Sequence, residues 1–474
     1  MVWCRPAWRV AVDTTAWKRD ARQPVGRLLA FSALGIPLAA VFLPLGVYLP
    51  PFYAQTMGLG LGTVGIVFMA SRLWNALCDP LIGLLSDHTR SRFGRRKPWI
   101  AAGAVIFIAA VVAVYWPPQH LTAFHLGLAL FALYLGWTMI GTPLAAWASE
   151  LAAGYHERSR VQTFLQTGGA LGLVLTLLLP ALVDQFVARG EFEKIAAMGA
   201  FAIVTFVPAV LFLLTRFREP PRPPAPSSAS TLAALRTFAT NPLVLRVMAS
   251  DFFVATGQGI RGALFVFFVS AYMGLPKWAS LLFLLQFVFG VFAAPLWLRV
   301  GYRFGKHQTV VLGEIAQIAI NLGLLFIAPG RFWPLLALTV AQGFAQGSGN
   351  LMLRSIVSDL ADDHRLKTGK EQSGLLFSIF NVTNNAAAAA AVGIAYPLIA
   401  FFGFTPGRAN SHAALSALAV LFAVGPALGH LFSAVLIWRF PLDERRHAEL
   451  RIALEERGRA DYLGRAEPFP QALN

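Results

Sequence analysis

The sequence predicts an all-α membrane protein with twelve transmembrane helices arranged in two six-helix bundles. Of its 474 residues, 57% are hydrophobic and only 13% are charged, whereas a soluble domain carries about twice that share of charge. Apolar stretches of about 20 residues, the length that crosses ~30 Å of hydrocarbon as a helix, recur along the whole chain. These stretches are too long and too evenly apolar for the strands of a barrel, the other structure that satisfies its backbone in lipid.

Each apolar stretch is expected to form one helix. The expected helices cover residues 28–53, 60–86, 98–117, 123–150, 161–184, 195–216, 243–274, 279–299, 308–329, 332–357, 372–402 and 412–440. The first of them contains Pro37, Pro44, Pro50 and Pro51. Because a proline removes one backbone donor, we expect these prolines to bend the helix.

The expected helices divide into two halves at a linker. Residues 219–231, EPPRPPAPSSAST, are rich in Pro and Ser, as extended linkers are. We therefore predict a cytoplasmic tail at 1–27, a first bundle at 28–216, a cytoplasmic linker at 217–242, a second bundle at 243–440 and a cytoplasmic tail at 441–474. A weak internal repeat supports the division. Two triplets of the first half recur in the second, Phe93-Gly94-Arg95 as Phe304-Gly305-Lys306 and Met57-Gly58-Leu59 as Met273-Gly274-Leu275.

The basic residues predict the orientation in the membrane. With a cytoplasmic N-terminus, most Arg and Lys fall in the inside segments, and the outside loops hold only Arg189, Lys194, Lys277, Arg331 and Arg408. This bias predicts a multi-pass protein of the inner (cytoplasmic) membrane with both termini in the cytoplasm. The net charge of +16 is then explained by an anionic lipid leaflet, so the lipid bilayer and not nucleic acid is the expected partner.

Motifs of the common enzyme classes are missing from the sequence. It contains neither a Gly-rich phosphate loop followed by Lys-Ser/Thr nor a Gly-x-Ser-x-Gly elbow. Cys4 and Cys78 suggest neither a disulfide nor a metal cluster. We therefore expect no enzymatic activity, no cofactor and no bound metal.

The most informative segment is RLWNALCDPLIGLLSDHTRSRFGRRKPW, at residues 72–99. Arg72, Asn75 and Asp79 are spaced i, i+3 and i+7 and so share one helix face. A carboxylate inside a membrane helix costs ~2.5–3.5 kcal/mol on insertion scales, so Asp79 should face a cavity or a partner. Helical side chains lean toward the helix N-terminus, which points Arg72 away from Asp79. We expect Asp79 either to bind a coupling ion or to make a structural bond to a cytoplasmic gate.

These residues, with motifs farther along, resemble the glycoside–pentoside–hexuronide:cation symporter family. The shared features are Arg72-x-Trp74, Asp79-Pro80, Arg90-x-Arg92-Phe93-Gly94-Arg95, the sequence YHERSR at 155–160, and Asp359-x-x-Asp362 followed by Thr368-Gly369. The resemblance covers most of the chain in order. It implies the major facilitator fold and the coupled uptake of a small-molecule solute by alternating access.

Departures from the family pattern shape the expected coupling site. Sodium-using relatives carry two carboxylates one turn apart in the second helix, and the first of these positions is Asn75 here, next to the polar Cys78. A lone acid can take up a proton, because hydrocarbon solvates its charged form poorly. We therefore expect the coupling ion, a proton rather than sodium, at Asp79 with Asn75 beside it.

The charged sugar contacts of the family are replaced by amides. Its helix-eleven lysine falls at Asn385 and its helix-five arginine at Gln166, and neutral amides can still hold a ligand rich in hydroxyl groups. The residues expected to contact the solute are Arg72, Trp74, Gln166, Asn350, Asn384 and Asn385. A lysolipid or another amphiphile is the alternative solute, and a receptor or scaffold without transport activity is the second alternative.

Asp87 and the basic residues after it resemble the cytoplasmic hinge of the family. Charge-assisted bonds among Asp87, Arg90, Arg95 and Arg96 would hold one access state closed, and we expect the chain to act as a monomer. Arg261 and Glu314 are among the further charges assigned to expected helices. Arg261 lies deep enough to reach an anionic group of a solute, and Glu314 is expected to snorkel to the membrane surface.

Overall fold

The computed structural model describes residues 24–89, 91–151, 155–186, 190–217, 219, 237–368, 373–441, 449, 450, 453 and 456. In the first half, the helices with described ends are α1 (Val25–Ser32), α2 (Gly35–Val47), α3 (Leu49–Gln55), α4 (Leu61–His88), α5 (Lys97–Tyr115), α6 (Ala123–Glu150), α7 (Tyr155–Phe186) and α8 (Glu191–Arg216). In the second half they are α9 (Pro242–Phe267, continued by a π-helical turn at Phe268–Tyr272), α10 (Ala279–Phe304), α11 (Lys306–Gly323), α12 (Phe332–Thr368), α13 (Ser373–Phe401) and α14 (His412–Ile437).

Most of these helices are long and apolar enough to cross a membrane. Within the described residues, eleven candidate spans meet this criterion by length and composition. The twelfth expected span, α12, is not among them, because Gln342, Gln346 and several glycines lower its hydropathy. With 37 residues, α12 is nevertheless longer than a span requires. It also runs eleven residues beyond the expected end at 357, into a polar segment that hydropathy alone does not mark as helix.

Prolines break the first expected span into three short helices. Pro37 has no N–H group to donate to the carbonyl of Ala33, four residues earlier in the chain. The helix α1 ends at Ser32, directly before Ala33. Pro51 likewise leaves the carbonyl of Val47 without its helical donor, and the second break follows at Tyr48. The segment is thus interrupted near Pro37 and Pro51, whereas Pro44 lies inside α2 without a break.

The two halves repeat the same order of helix packing. In the first half, the segment α1–α3 packs on α7 and α8, α4 packs on α6, and α5 packs on α6 and α8. In the second half, α9 packs on α13 and α14, α10 packs on α12, and α11 packs on α12 and α14. Equivalent helices therefore make equivalent contacts, as a duplicated six-helix unit requires.

The recurring triplets occupy equivalent turns. Gly58 and Gly274 have φ angles of 73° and 68°, and Gly94 and Gly305 have φ angles of 106° and 81°. Glycine is favoured at such positive angles because a Cβ atom strains the backbone there. The sequence repeat thus marks positions where the chain needs the same backbone conformation in both halves.

Within the described residues, the halves contact each other mainly through α4 with α13, α7 with α10, and α2 with α9. Close packing supports the first pair, since a Cβ atom on Gly65 of α4 would lie 3.0 Å from Tyr396 and from Pro397 of α13. The predicted linker at 217–242 lies largely outside the described residues, so the bundle boundaries stay a prediction. The tails at 1–27 and 441–474 are also mostly outside them.

Candidate functional site

Asp79 lies where three helices meet, two from the first half and one from the second. Its Oδ1 accepts a hydrogen bond from Thr138 Oγ1 of α6 at 2.8 Å, and its Oδ2 accepts one from Asn385 Nδ2 of α13 at 3.4 Å. Thr138 Oγ1 also lies 2.9 Å from Asn75 Oδ1. Asn75 and Thr138 are buried, and Asp79 is half-buried. The structure therefore brings together three of the predicted site residues, Asn75, Asp79 and Asn385.

Neutral groups alone donate to Asp79 in this cluster. The Thr138 hydroxyl has one proton and cannot donate it to Asn75 and Asp79 at once. If the Asn75 amide is turned by 180°, its Nδ2 donates to Thr138, and Thr138 donates to Asp79. In the described part of the chain, Asp79 has no ion pair with a basic side chain. The carboxylate can therefore exchange a proton or a cation without first breaking an ion pair.

The cluster can also be considered as a cation site. With the amide oxygen of Asn75 turned inward, three oxygen atoms face one another, and only that of Asp79 is anionic. The described residues contain no group of three or more His, Cys, Asp and Glu side chains that could hold a metal ion. One carboxylate and two neutral oxygens form a weaker site for sodium than two carboxylates would.

A cavity of about 300 Å³ lies between the halves and is lined by both. Ala388 lines this cavity and lies one turn from Asn385 on α13, so the edge of the cavity is close to the Asp79 cluster. Its aromatic lining is Phe42, Phe283 and Phe287, and its polar lining is Arg72, Gln258, Arg261, Gln286, Gln342 and Gln346.

Two of the predicted solute contacts differ in their relation to this cavity. Arg72 lines it and is buried. Trp74 does not line it: its side chain is 38% exposed, and its ring packs against Phe131, with the ring centroids 5.7 Å apart. Two positions along a helix correspond to about 200° of rotation. Trp74 therefore lies on the opposite side of α4 from Arg72, a geometry that argues against the predicted contact.

The predicted amides are also distributed differently from the expectation. Gln166 and Asn384 are exposed and do not line the cavity. The side chain of Asn350 lies outside the described part of the structure. The amides that do line the cavity belong to Gln258, Gln286, Gln342 and Gln346. The i, i+4 spacing of Gln342 and Gln346 was the available signal for a polar face on α12.

The predicted gate residues surround the turn between α4 and α5. Arg96 is buried, and its Nη2 lies 3.4 Å from Oδ1 of the largely exposed Asp87. Nη1 of Arg96 donates to the carbonyl of Pro143 at 3.4 Å. Arg90 lies outside the described residues. Both of these Arg96 contacts stay within the first half.

A carboxylate that sequence reasoning did not select holds this turn. The backbone N–H groups of Arg95, Arg96 and Lys97 donate to the Glu219 carboxylate at 2.8, 3.0 and 2.6 Å. These N–H groups are at the start of α5, where free donors and the helix dipole favour an anion. Gly94 lies beside the Glu219 carboxylate, and a Cβ atom at this position would lie 2.5 Å from it, which favours glycine here. Glu219 thus fixes the beginning of the predicted linker to the predicted gate.

Glu314 is placed differently from the sequence expectation. Instead of reaching the membrane surface, its side chain is 1% exposed and contacts Nδ1 of His430, which is also buried. Ser433 donates to Glu314 Oε1 at 3.2 Å, and Ser250 lies 2.8 Å from Ser433. Snorkelling is unnecessary because α14 supplies the partners. The long separation between Glu314 and His430 in the sequence hides this pair from any argument based on spacing.

Comparison with known proteins agrees with this architecture. Residues 30–444 match the model of a family described as MFS/sugar transport protein. The chain is 24% identical to the putative glycoside/cation symporter YagG of Escherichia coli (strain K12), over 83% of this chain and 87% of that protein. It is 23% identical to the inner membrane symporter YicJ of the same organism, over 83% of this chain and 86% of that protein. The nucleoside transporter NupG superposes with a TM-score of 0.64 at 15% identity, covering 87% of this chain and 98% of that structure. This likeness confirms the predicted all-α membrane fold.

Proposed function

Since the chain belongs to the family of MFS/sugar transport proteins, which its match over residues 30–444 shows, we propose that it couples the uptake of a glycoside or related small solute to a proton. The family match confirms the resemblance to cation symporters and shows that the chain is a multi-pass membrane transporter, not an enzyme. The proton, the solute class and alternating access of the two halves are the parts that we propose.

The position of Asp79 between the halves is the observation that carries the proposal. Its carboxylate receives hydrogen bonds from Thr138 of the first half and from Asn385 of the second. Protonation removes the charge that makes these bonds strong. A proton taken up by Asp79 would therefore change how firmly α4 and α13 are held together, which links ion binding to the relative position of the halves. Sodium is the less favoured coupling ion, because the cluster offers one carboxylate.

The cavity lining supports a polar solute. Arg72 and the four glutamines can donate to and accept from the hydroxyl groups of a glycoside, and YagG is named as a glycoside/cation symporter. An acyl chain would have to leave these groups without partners, which disfavours the amphiphile alternative. A scaffold has no need of a polar cavity between two halves.

The remaining assignments rest on the sequence. We place the protein in the inner membrane with both termini in the cytoplasm, following the distribution of basic loops, and YicJ is named as an inner membrane symporter. The contact of Asp87 with Arg96, together with Arg90 and Arg95, would then form a cytoplasmic gate. One chain contains the whole cavity, so a monomer suffices.

The test is uptake into liposomes that contain the purified protein. Thermal stabilisation first selects a solute from glycosides, pentosides and lysolipids, since a ligand at 100 times its Kd adds about 2.7 kcal/mol to the free energy of unfolding. We expect an inward proton gradient, without sodium, to drive accumulation of a glycoside and a protonophore to abolish it. Accumulation driven by sodium alone would contradict the coupling ion, and stabilisation by lysolipids alone would contradict the solute class.

A further inference from the structure

A second cavity, apart from the central one, lies between α11 and α14 and is called the lateral cavity below. Its volume is about 310 Å³. Because α11 begins at Lys306 and α14 ends at Ile437, the cavity lies where one helix enters the membrane and the other leaves it. In the proposed orientation this is the cytoplasmic side. Its lining includes His307, Gln308, Leu312, Ile315, Trp438 and Arg439.

The lining changes from polar to apolar along α11. His307 and Gln308 belong to the first turn, and Leu312 and Ile315 follow within the next two turns on a face about 140° wide. Leu312 is 47% exposed and Ile315 is 51% exposed, although both belong to a candidate membrane span. The rise from His307 to Ile315 is about 12 Å, close to the ~15 Å of hydrocarbon in one leaflet. The lateral cavity therefore has the polarity profile of one phospholipid molecule.

The cationic group of the lateral cavity is Arg439, directly after α14. Its neighbour Trp438 is 56% exposed and is of the residue type that favours the membrane–water boundary. The side chain of Arg439 is exposed and, in the part of the chain that the structure describes, has no carboxylate within ion-pair distance. Lys306 at the start of α11 is instead paired with Asp359 at 2.7 Å. The charge of Arg439 is thus left for a ligand.

The backbone of Arg439 is strained. Its φ angle is 52°, and among the described residues it is the one non-glycine residue with a positive φ, a conformation that a Cβ atom disfavours. Arg246 of α9 holds this turn: its Nη2 donates to the carbonyls of Leu436 and Trp438 at 2.7 and 3.2 Å, and its Cζ lies 5.5 Å from the ring centroid of Phe440. Strain that the fold maintains is typical of functional positions. Here it accompanies a charge at the edge of a cavity.

We propose that the lateral cavity binds an anionic phospholipid of the cytoplasmic leaflet, with its phosphate at Arg439 and an acyl chain along Leu312 and Ile315. A guanidinium can donate two parallel hydrogen bonds to a phosphate, and the side chains of His307 and Gln308 offer further donors. The lipid would join the ends of α11 and α14. This site lies outside the transport cavity and takes from the proposed function only the orientation in the membrane.

The lining distinguishes this lipid from other occupants. A free phosphate ion would use the polar end alone and leave the exposed face of Leu312 and Ile315 uncovered. A choline or ethanolamine headgroup would bring a second cation close to Arg439, and the lining contains no Asp or Glu to receive it. Like charges at such short distances repel. Phosphatidylglycerol has the phosphate without the second cation, so it satisfies both ends of the cavity.

Thermal unfolding of the full-length protein, purified and delipidated in detergent, tests the occupant. The probes are dioleoyl phosphatidylglycerol, dioleoyl phosphatidylcholine and inorganic phosphate, since a ligand that binds the folded state raises the midpoint of unfolding. We expect phosphatidylglycerol to bind with a Kd at least tenfold below that of phosphatidylcholine, and phosphate at the same concentration to have no effect. Equal binding of the two lipids, or equal stabilisation by inorganic phosphate, overturns the proposal.

The variant Arg439→Asn removes the charge and keeps a residue that tolerates the left-handed backbone. We expect it to weaken binding of phosphatidylglycerol at least fivefold and that of phosphatidylcholine less than twofold, and Arg439→Lys to restore most of the affinity. Arg303→Asn is the matched control, because Arg303 is an exposed arginine at the end of α10, outside the lateral cavity, and its loss changes the net charge equally. Equal weakening by both Asn variants would show a general attraction to anionic lipid and overturn the proposal. No result here bears on the proposed transport, because none of the measurements uses the solute.

Discussion

Asn385 of α13 donates a hydrogen bond to the carboxylate of Asp79 of α4, with 3.4 Å between Nδ2 and Oδ2. This contact joins a side chain of the second half to the acid that the sequence selects in the first half. Because α4 and α13 form one of the main helix pairs between the halves, the charge of Asp79 acts directly on their interface. The first two predictions concern this cluster.

Replacement of Asp79 by Asn should separate transport from its driving force. The amide has nearly the same shape but cannot release or take up a proton. We expect accumulation against a gradient to fall at least tenfold, whereas exchange of labelled for unlabelled solute continues. The measurement is uptake by liposomes with and without an imposed proton gradient. Glu193→Gln, at an exposed acid outside the cavity, is the control, and proton-driven accumulation by Asp79→Asn would exclude the coupling role.

Thr138→Val should shift the pH dependence of uptake. Valine keeps the volume of threonine but removes the hydroxyl that donates to Asp79 at 2.8 Å. Loss of a donor makes the charged carboxylate less stable, so the proton binds more readily and half-maximal uptake moves to higher pH. A hydrogen bond to a charged group contributes about 1.5–3 kcal/mol, and partial exposure of Asp79 reduces this to a shift of roughly one pH unit.

A matched substitution controls for the loss of a buried hydroxyl. Thr176 is buried on α7 and donates within its own helix to Gly172 at 2.7 Å, so Thr176→Val should leave the pH profile unchanged. If Thr138→Val instead raised the sodium concentration needed for uptake without any shift in pH dependence, sodium and not the proton would be the coupling ion.

Glu219→Gln should destabilise the turn between α4 and α5. The carboxylate accepts three backbone N–H groups at the start of α5, and an anion in a partly buried position of this kind contributes up to ~2 kcal/mol. We expect the free energy of unfolding to fall by about 1–2 kcal/mol, measured by thermal or denaturant unfolding in detergent. An unchanged stability would show that the amide replaces the carboxylate fully.

A comparison of two glycines isolates the same contact. Gly94 and Gly305 occupy equivalent turns with positive φ angles, but only a Cβ atom on Gly94 would meet the Glu219 carboxylate. Both Gly94→Ala and Gly305→Ala should be destabilised by backbone strain of about 1 kcal/mol. We expect the cost at Gly94 to be larger by at least 1 kcal/mol, and equal costs would contradict the role of Glu219.

The sequence was sufficient for the fold because hydropathy and proline positions act locally. Apolar stretches define the membrane helices, and prolines remove donors at known distances along the chain, which accounts for the breaks of the first span at Ala33 and Tyr48. Pro44 lies inside α2 without a break, so the sequence gives the candidate positions and packing decides which of them break. The repeated triplets predict equivalent turns for the same reason. The length of α12 could not be obtained this way, because its polar end lacks the apolar signal.

Only part of the site could be predicted from the sequence. The i, i+3, i+7 spacing of Arg72, Asn75 and Asp79 placed them on one face, whereas Trp74 was selected by family motif and lies on the opposite side of the helix. Partners on other helices, such as Thr138, have no spacing relation to Asp79. The cavity glutamines belong to three helices, and only packing decides which of them meet.

The buried pair of Glu314 and His430 gives the last prediction, on stability. Both side chains are about 1% exposed, so either one without the other leaves a buried polar group without its partner. Breaking a buried pair by removing one member costs about 3–5 kcal/mol, whereas replacing both members by apolar residues is often close to neutral. We therefore expect Glu314→Leu and His430→Leu each to lower the free energy of unfolding by about 3–5 kcal/mol, and the double variant to be more stable than either.

A double-mutant cycle measures this coupling directly. His412→Leu, at an exposed histidine of the same helix α14, should change the stability by less than about 0.5 kcal/mol and serves as the control. Additive costs of the two single substitutions would contradict the pairing. Neither Glu314 nor His430 lines the cavity, so a folded double variant should still accumulate solute under a proton gradient. Loss of that accumulation at normal stability would instead assign the pair to the path of the proton.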